Sequence, residues 1–404
     1  MMQVALSMAG LGFTAIVALV GSWPWCIARA FLVSIVVSRA MTAITRRSPR
    51  VAGLAASAVG LIAVSVGSAI VVPEARVSGW TLRAAGGALA AGGGATLLLV
   101  GAGVLLRSLR GWKRGAVVPI GLLLTYVIGQ PLVIATVATN VPRAHLGLAT
   151  PADVGLVASE VRFTTSDRVS LAGWFVPSRN GAAVVVVPGA SSTRTAVLDQ
   201  AAVLARHGYG VLLYDPRGMG RSAGRAMNRG WYGTPDVQAA VTYLTRQPSV
   251  QDDRIGVLGE SMGGEEAIGA SATDPRIRAV VAEGATNRVA ADNGWLDDEY
   301  GVRGRFQQVV DELTELVTDQ LTAASPPIAL RAAVVRSSPR PVLLVAAGRV
   351  REEIAADRWI AAASPSNVRV WVVPAVGHTG GLRTQPVEWE RRVVTFLGRA
   401  LSGR

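Results

Sequence analysis

Two rhythms of hydrophobic and polar positions divide the chain near residue 150. Before it, apolar residues run almost unbroken near 4–25, 51–72, 84–106 and 116–138, and none of these stretches contains Asp, Glu, Lys, Arg or His. About 20 consecutive apolar residues cross the hydrocarbon core of a bilayer as a helix, which satisfies its own backbone polar groups. The pattern therefore predicts an all-α transmembrane region of about four helices over residues 1–142. Gly86, Ala90 and Gly94 recur every four residues in the third run. Small residues at that spacing let helix backbones approach closely, so this helix is expected at the centre of the bundle. Trp23, Trp25, Trp80 and Trp112 stand at or just beyond run ends, as an interfacial aromatic belt would. No Lys or Arg precedes Arg29, so the first run lacks the basic flank of a cleavable signal peptide and reads as a retained helix. Its continuation over 30–44 reads as an interfacial helix or the second arm of a hairpin.

After a linker over 143–159 the rhythm shortens. Residues 160–165 and 169–176 alternate like the two arms of a hairpin. Short β-branched runs then follow at 183–187, 211–214, 255–258, 279–282, 342–346 and 368–373. Helical stretches at 195–207, 233–245, 263–271, 352–363 and 386–401 separate most of them. Fully apolar strands alternating with helices predict an α/β domain over 160–404, a doubly wound, mostly parallel sheet covered on both faces. Sites in such sheets form beyond the carboxyl ends of the strands. The connection from Glu283 to Val342 is too long for a plain loop. Within it Val302, Phe306, Val309, Val310, Leu313, Leu316, Val317 and Leu321 fall on one helical face. A small helical cap is therefore expected near 286–340.

The formal net charge of +13 would suggest a nucleic-acid partner if it were spread over a globular surface. Its distribution removes that reading. The first 150 residues hold twelve basic side chains against one acid, Glu74, whereas the remainder is nearly balanced. Basic residues that punctuate apolar runs mark membrane topology rather than a phosphate-binding surface, so no nucleic-acid partner is expected. Arg39, Arg46, Arg47 and Arg50 follow the first run, and Arg107, Arg110, Lys113 and Arg114 follow the third. Only Arg76 and Arg83, opposed by Glu74, separate runs two and three, and Arg143 alone follows the fourth. The positive-inside rule then places the first and third loops in the cytoplasm and the C-terminal domain outside it, in a multi-pass protein of the cell membrane. The runs lack the ionisable residues of an ion or substrate pathway, so anchoring is their expected task. A single cysteine, Cys26, permits neither an intrachain disulfide nor a cysteine-based zinc site. His145, His207 and His378 leave little room for a histidine-rich metal cluster. With no phosphate-binding loop or haem signature either, no cofactor and no metal are expected.

The chemistry concentrates after the run at 255–258, where Gly259-Glu260-Ser261-Met262-Gly263-Gly264 opens a helix. In that strand–turn–helix context a G-x-S-x-G sequence is a sharp turn that holds the serine hydroxyl out at the sheet edge. The N–H after the serine, that of Met262, points where an oxyanion would form. A serine hydroxyl needs a base. His207 ends a predicted helix, where a cap or dipole role is natural. His378 follows the last strand, in a loop of the kind that delivers catalytic groups, and is the candidate base. An acid that orients the imidazole should follow the run at 342–346. Glu352 and Glu353 both qualify, with Asp357 a weaker third and Glu283 a fourth.

These residues, together with Tyr209-Gly210-Val211-Leu212-Leu213-Tyr214-Asp215-Pro216-Arg217-Gly218-Met219-Gly220-Arg221-Ser222 and Gly377-His378, make residues 160–402 resemble an α/β-hydrolase-fold serine hydrolase. The likeness is to the dienelactone-hydrolase and prolyl-oligopeptidase-like branches. The order Ser, acid, His agrees with that family. The resemblance implies that Asp215 is a turn residue rather than the triad acid. It also implies that a backbone N–H after the third strand completes the oxyanion hole. The family's His-Gly there reads Pro188-Gly189-Ala190-Ser191 in this chain, which leaves Ala190 as the donor with Ser191 as fallback. The family's Gly-x-x-Asp reads Gly348-x-x-Arg351. The expected activity is that of a membrane-anchored serine hydrolase acting on a small or lipid-like acyl ester, with peptide cleavage and acyl transfer open to the same residues. The alternative from a different class is a non-catalytic scaffold or receptor built on a degenerate hydrolase domain.

Overall fold

The computed structural model describes Gly10 and residues 48–402. The first apolar run and its continuation lie outside the described residues. The chain divides into two compact units, Met1–Pro142 with Leu313–Leu321, and Arg143–Glu312 with Thr322–Arg404.

In the first unit, helix α1 (Pro49–Val77) starts with proline in its first turn, where the missing N–H costs nothing. Helix α2 (Leu82–Ser108) starts on Thr81, whose hydroxyl accepts from the Ala84 N–H at 3.1 Å. The two pack through a seven-residue glycine repeat, Gly53, Gly60 and Gly67 against Gly101, Gly94 and Gly87. A Cβ on Gly60 would lie 2.6 Å from the Leu98 nitrogen, and one on Gly94 would lie 2.6 Å from the Val64 nitrogen. The backbones therefore touch where only glycine fits. Gly86, Ala90 and Gly94 are all buried, Ala90 against Ile70 of α1, but the closest backbone approaches recur every seven residues rather than every four. Two antiparallel helices meet again every second turn, and seven residues span two turns. Helix α3 (Trp112–Thr139) contains a single π turn at Thr125–Gly129. All three are long and apolar enough to cross a membrane.

The second unit is built on an eight-stranded sheet. Strands β1 (Ser159–Thr164) and β2 (Ser170–Val176) form the expected antiparallel hairpin. They are followed by β3 (Ala183–Val187), helix α4 (Leu198–Arg206), β4 (Gly210–Tyr214), α5 (Gly233–Leu244), β5 (Ile255–Glu260), α6 (Met262–Ser271) and β6 (Ile277–Glu283). The strand order is β1-β2-β4-β3-β5-β6, then β7 (Val342–Ala347) and β8 (Val368–Val373), with β4 to β8 parallel. Alternate residues of each strand point to opposite faces. Val185, Leu212, Val257 and Leu344 pack on one face under Val237 of α5 and Ile268 of α6. Val184, Leu213, Leu258 and Val345 pack on the other under Leu204 of α4. Burying one such side chain contributes about 1.5–3 kcal/mol, so the five central strands are the rigid floor of the domain.

Between β6 and β7 come α7 (Trp295–Tyr300), α8 (Val302–Leu321) and α9 (Leu330–Ser337). Helix α9 returns to the sheet and buries Leu330, Ala333 and Val334. The apolar face read from the spacing of α8 does not stay together. In the part of α8 that belongs to this unit Val310 is buried, but Val302, Phe306 and Val309 are exposed, whereas Asp311 is inside. Polar pairing decides this locally, since Asp311 accepts from Asn293 Nδ2 at 2.7 Å and from Gln307 Nε2 at 2.9 Å. After β7, α10 (Arg351–Ala362) leads to β8, and α11 (Gly381–Thr384) and α12 (Pro386–Ala400) close the chain, with Trp389 and Leu397 of α12 buried in the second core.

Candidate active site

The site forms where β5, β7 and β8 end. Ser261 stands alone between β5 and α6 with φ 51° and ψ −123°, a conformation non-glycine residues seldom adopt. Such strain costs of order 1–3 kcal/mol and persists only where the surroundings enforce it. Here the Ser261 N–H donates to Glu283 O at 2.7 Å, and the Ser261 carbonyl accepts from Gly264 N–H at 2.9 Å. Gly263 permits the turn, because a Cβ there would lie 2.6 Å from Pro188 O.

The loop after β8 brings His378 to this serine. His378 Nε2 lies 2.9 Å from Ser261 Oγ, and His378 Nδ1 lies 2.6 Å from Glu353 Oε1. With the ring proton on Nδ1 facing the carboxylate, Nε2 presents its lone pair to the hydroxyl. Glu353 is itself fixed, since Oε2 accepts from the Ala347 N–H at 2.8 Å and the side chain is buried. The Glu353 hydrogen bond holds the half-buried His378 imidazole above its ordinary pKa, against the opposing effect of burial.

The other acids named from the sequence sit elsewhere. Glu352, next to Glu353 in the first turn of α10, is exposed. Glu283 accepts from the Gly381 N–H at 2.7 Å and from Trp389 Nε1 at 2.8 Å, which fastens the chain just past His378 to the end of β6. Asp357, one turn beyond Glu353, is fully buried and neither oxygen has a hydrogen-bond partner among the described residues. Burial first, and the Glu353 charge second, push its carboxyl well above the usual range. An acid raised in the folded chain binds more protons there than when unfolded. Its contribution to stability is thus intact below the unfolded pKa of about 4 and is lost as pH rises from there towards the folded pKa. Asp357→Leu is therefore expected to stabilise the protein by about 1–3 kcal/mol at neutral pH and by less under acid conditions, as thermal melts across pH would read.

Gly189 of the loop after β3 lies against the nucleophile, where a Cβ would be 3.4 Å from Ser261 Cβ. Ala190 and Ser191 follow directly, Ser191 with φ 55°. Met262 supplies the first N–H of α6, at the positive end of that helix. His207 is remote in role, since it ends α4 and pairs with Glu390 at 2.8 Å beside Arg206. His145 is exposed. Asp215 holds its turn, as Oδ1 accepts from Arg194 N–H at 3.0 Å and Oδ2 from Arg221 N–H at 2.9 Å.

Some residues around the site escape a reading of the sequence. Glu260 is bound by Gln200 Nε2 and pushed up to about 8 by burial and the Glu283 charge. Glu265 accepts from the Thr286 and Asn287 N–H groups at 3.0 and 3.1 Å, which ties α6 to the chain after β6. Their only sequence signal is acids flanking a nucleophile motif in an otherwise apolar stretch.

A family profile described as serine aminopeptidase, S33, matches residues 178–365. A polyketide transferase of a Penicillium species is 37% identical over 138 residues, 31% of this chain and 45% of its own length. A thiohydrolase of Aspergillus aculeatus is 36% identical over 130 residues, 30% of this chain and 40% of its own. The chain thus spans less than half the length of these two relatives. An uncharacterized protein of Mycobacterium tuberculosis is 30% identical over 227 residues, 54% of this chain and 72% of that protein. Among solved structures, an esterase of Pyrococcus furiosus matches with a TM-score of 0.53 and 26% identity, covering 65% of this chain and 97% of the esterase.

Proposed function

The chain belongs to the α/β-hydrolase family of serine hydrolases, and on that footing we propose that it cleaves ester-type acyl substrates at the membrane through a covalent acyl-enzyme. Ser261 Oγ attacks the acyl carbonyl while His378 Nε2 takes its proton, and Glu353 keeps the imidazole in the right tautomer and stabilises the imidazolium. The N–H groups of Met262 and Ala190 receive the oxyanion. His378 then returns the proton to the leaving group, and water repeats the sequence in reverse to release the acid. The observation that carries this reading is the contact chain from Ser261 Oγ through both nitrogens of His378 to Glu353, at 2.9 and 2.6 Å. Its three members come from the ends of three different strands, which chance packing seldom brings together.

Residues 1–142 serve in this reading as the anchor, 143–159 as the linker and 160–404 as the hydrolase domain with a cap over 286–340. The loop charges put that domain outside the cytoplasm. A lipid-like or cell-envelope ester is the substrate class that suits an anchored enzyme. The relatives named polyketide transferase and thiohydrolase favour a second reading, in which the same acyl-enzyme forms from a thioester or passes its acyl group to an alcohol. A non-catalytic scaffold would have no need of the contact chain.

The test is labelling of intact cells that make the full chain with a membrane-impermeant fluorophosphonate, beside Ser261→Ala. Labelling that disappears in the variant is expected. Labelling only after lysis would keep the enzyme and reverse its orientation. Silence in both, with folded protein present, would favour the scaffold.

A further inference from the structure

Beside the serine turn lies a small, partly open cavity of about 20 Å³ that the chemistry above does not use. Gly189, Ser191 and Met262 border it next to the nucleophile, and its polar lining includes Asn228, Arg217, Asp236 and Glu266. Arg217 is already engaged, by Asp236 at 3.0 Å through Nε and by Asp167 at 2.6 Å through Nη1. Glu266 is only 4% exposed and lines the cavity, with the Arg288 and Arg217 charges acting on it but neither within salt-bridge distance among the described residues. Two glycines leave the room it occupies, since a Cβ on Gly230 would lie 2.8 Å from Glu266 Cγ and one on Gly233 would collide with the carboxyl carbon. Buried polar groups in native proteins almost always have a partner, and a carboxyl at the edge of a cavity can take one supplied from outside. Burial, with the Asp236 charge second, pushes the Glu266 carboxyl up to about 8. It is therefore mostly protonated at neutral pH and both donates and accepts.

Sheet order says which part of a substrate reaches this cavity. From Ser261 on β5, the His378 loop lies across β6, β7 and β8, whereas the cavity is lined from the loops after β3 and β4, on the other side. The leaving group must sit where His378 can protonate it, so the acyl chain lies towards the cavity. Glu266 follows Ser261 by five residues, roughly 7 Å along the α6 axis, which suits a group on the β- or γ-carbon. The space holds about one water or hydroxyl. We infer that this cavity receives a hydroxyl carried on the acyl chain of the substrate, with Glu266 as its hydrogen-bond partner; the inference rests on the acyl-enzyme reading above.

The test compares nitrophenyl butyrate with nitrophenyl β-hydroxybutyrate on the detergent-solubilised full chain. The wild type is expected to favour the hydroxy ester in kcat/KM by about ten- to a hundredfold. Glu266→Leu should erase that ratio, and Glu266→Gln, which keeps a donor and an acceptor, should retain most of it. A wild type without preference, or a Glu266→Leu variant that lowers both esters in equal proportion, would overturn the inference and leave the cavity a place for a resident water. Absence of turnover together with a Ser261 unreactive to fluorophosphonate would overturn the acyl-enzyme reading and this inference with it.

Discussion

Glu353→Gln is expected to lower kcat on acyl esters by about ten-thousandfold, whereas Glu352→Gln should stay within about twofold of wild type. The glutamine side chain fits the same space and can still bond the Ala347 N–H, so the geometry at α10 survives. It cannot stabilise the imidazolium, and its amide can hold the ring in the wrong tautomer. The pH profile separates this from a merely structural loss. His378 acts as a base only when neutral, and its pKa lies above the ordinary imidazole value chiefly because of the Glu353 hydrogen bond. In the wild type kcat/KM should therefore rise with pH through that elevated pKa. Without the carboxylate the raising influence is gone and half-burial still opposes the charged form, so the acid limb should move to lower pH. A residual rate that falls while the limb stays put would deny Glu353 its role beside His378.

That Glu353 rather than Glu352 meets the His378 ring is a matter of one helical position, which explains why the sequence leaves it open. Adjacent residues on a helix point about 100° apart, so the boundary of α10 decides which glutamate faces the sheet. Boundaries are the least legible part of any sequence. Facing inward is not enough either, because Asp357 shares the inner face one turn later and is equally buried. The Ala347 N–H and the His378 ring select Glu353, and both arrive from distant parts of the chain. The strands were legible because each is uniformly apolar over five or six residues and needs no partner to be recognised. Ser261 and His378 were legible because their setting is local, a strand end followed by glycine. Glu283 looked like a candidate acid for the same local reason. Its real neighbours, Gly381 and Trp389, lie about a hundred residues on, beyond the reach of pattern. Glu266 is the strongest case. Two acids in a helix read as a solvated surface, and only the glycines at 230 and 233 turn that position into the interior.

Ser261→Ala and His378→Ala are each expected to reduce kcat by about a millionfold, and the double variant should be no worse than either alone. The hydroxyl is a weak nucleophile without a base, and the imidazole has no proton to take without the hydroxyl, so removing one member already removes the work of both. Two residues acting independently would instead multiply their losses. The measurement is steady-state hydrolysis of one activated ester by the four proteins, with thermal melts to establish that each is folded. The residual rate in every variant should still exceed that of water by about a thousandfold if the Met262 and Ala190 N–H groups hold the oxyanion, since those donors belong to the backbone and survive all three changes. Full additivity would mean that the 2.9 Å contact between Ser261 and His378 is packing without chemistry. No turnover above that of water in any of the four, each of them folded, would make the domain a scaffold whose serine turn is strained to no catalytic end.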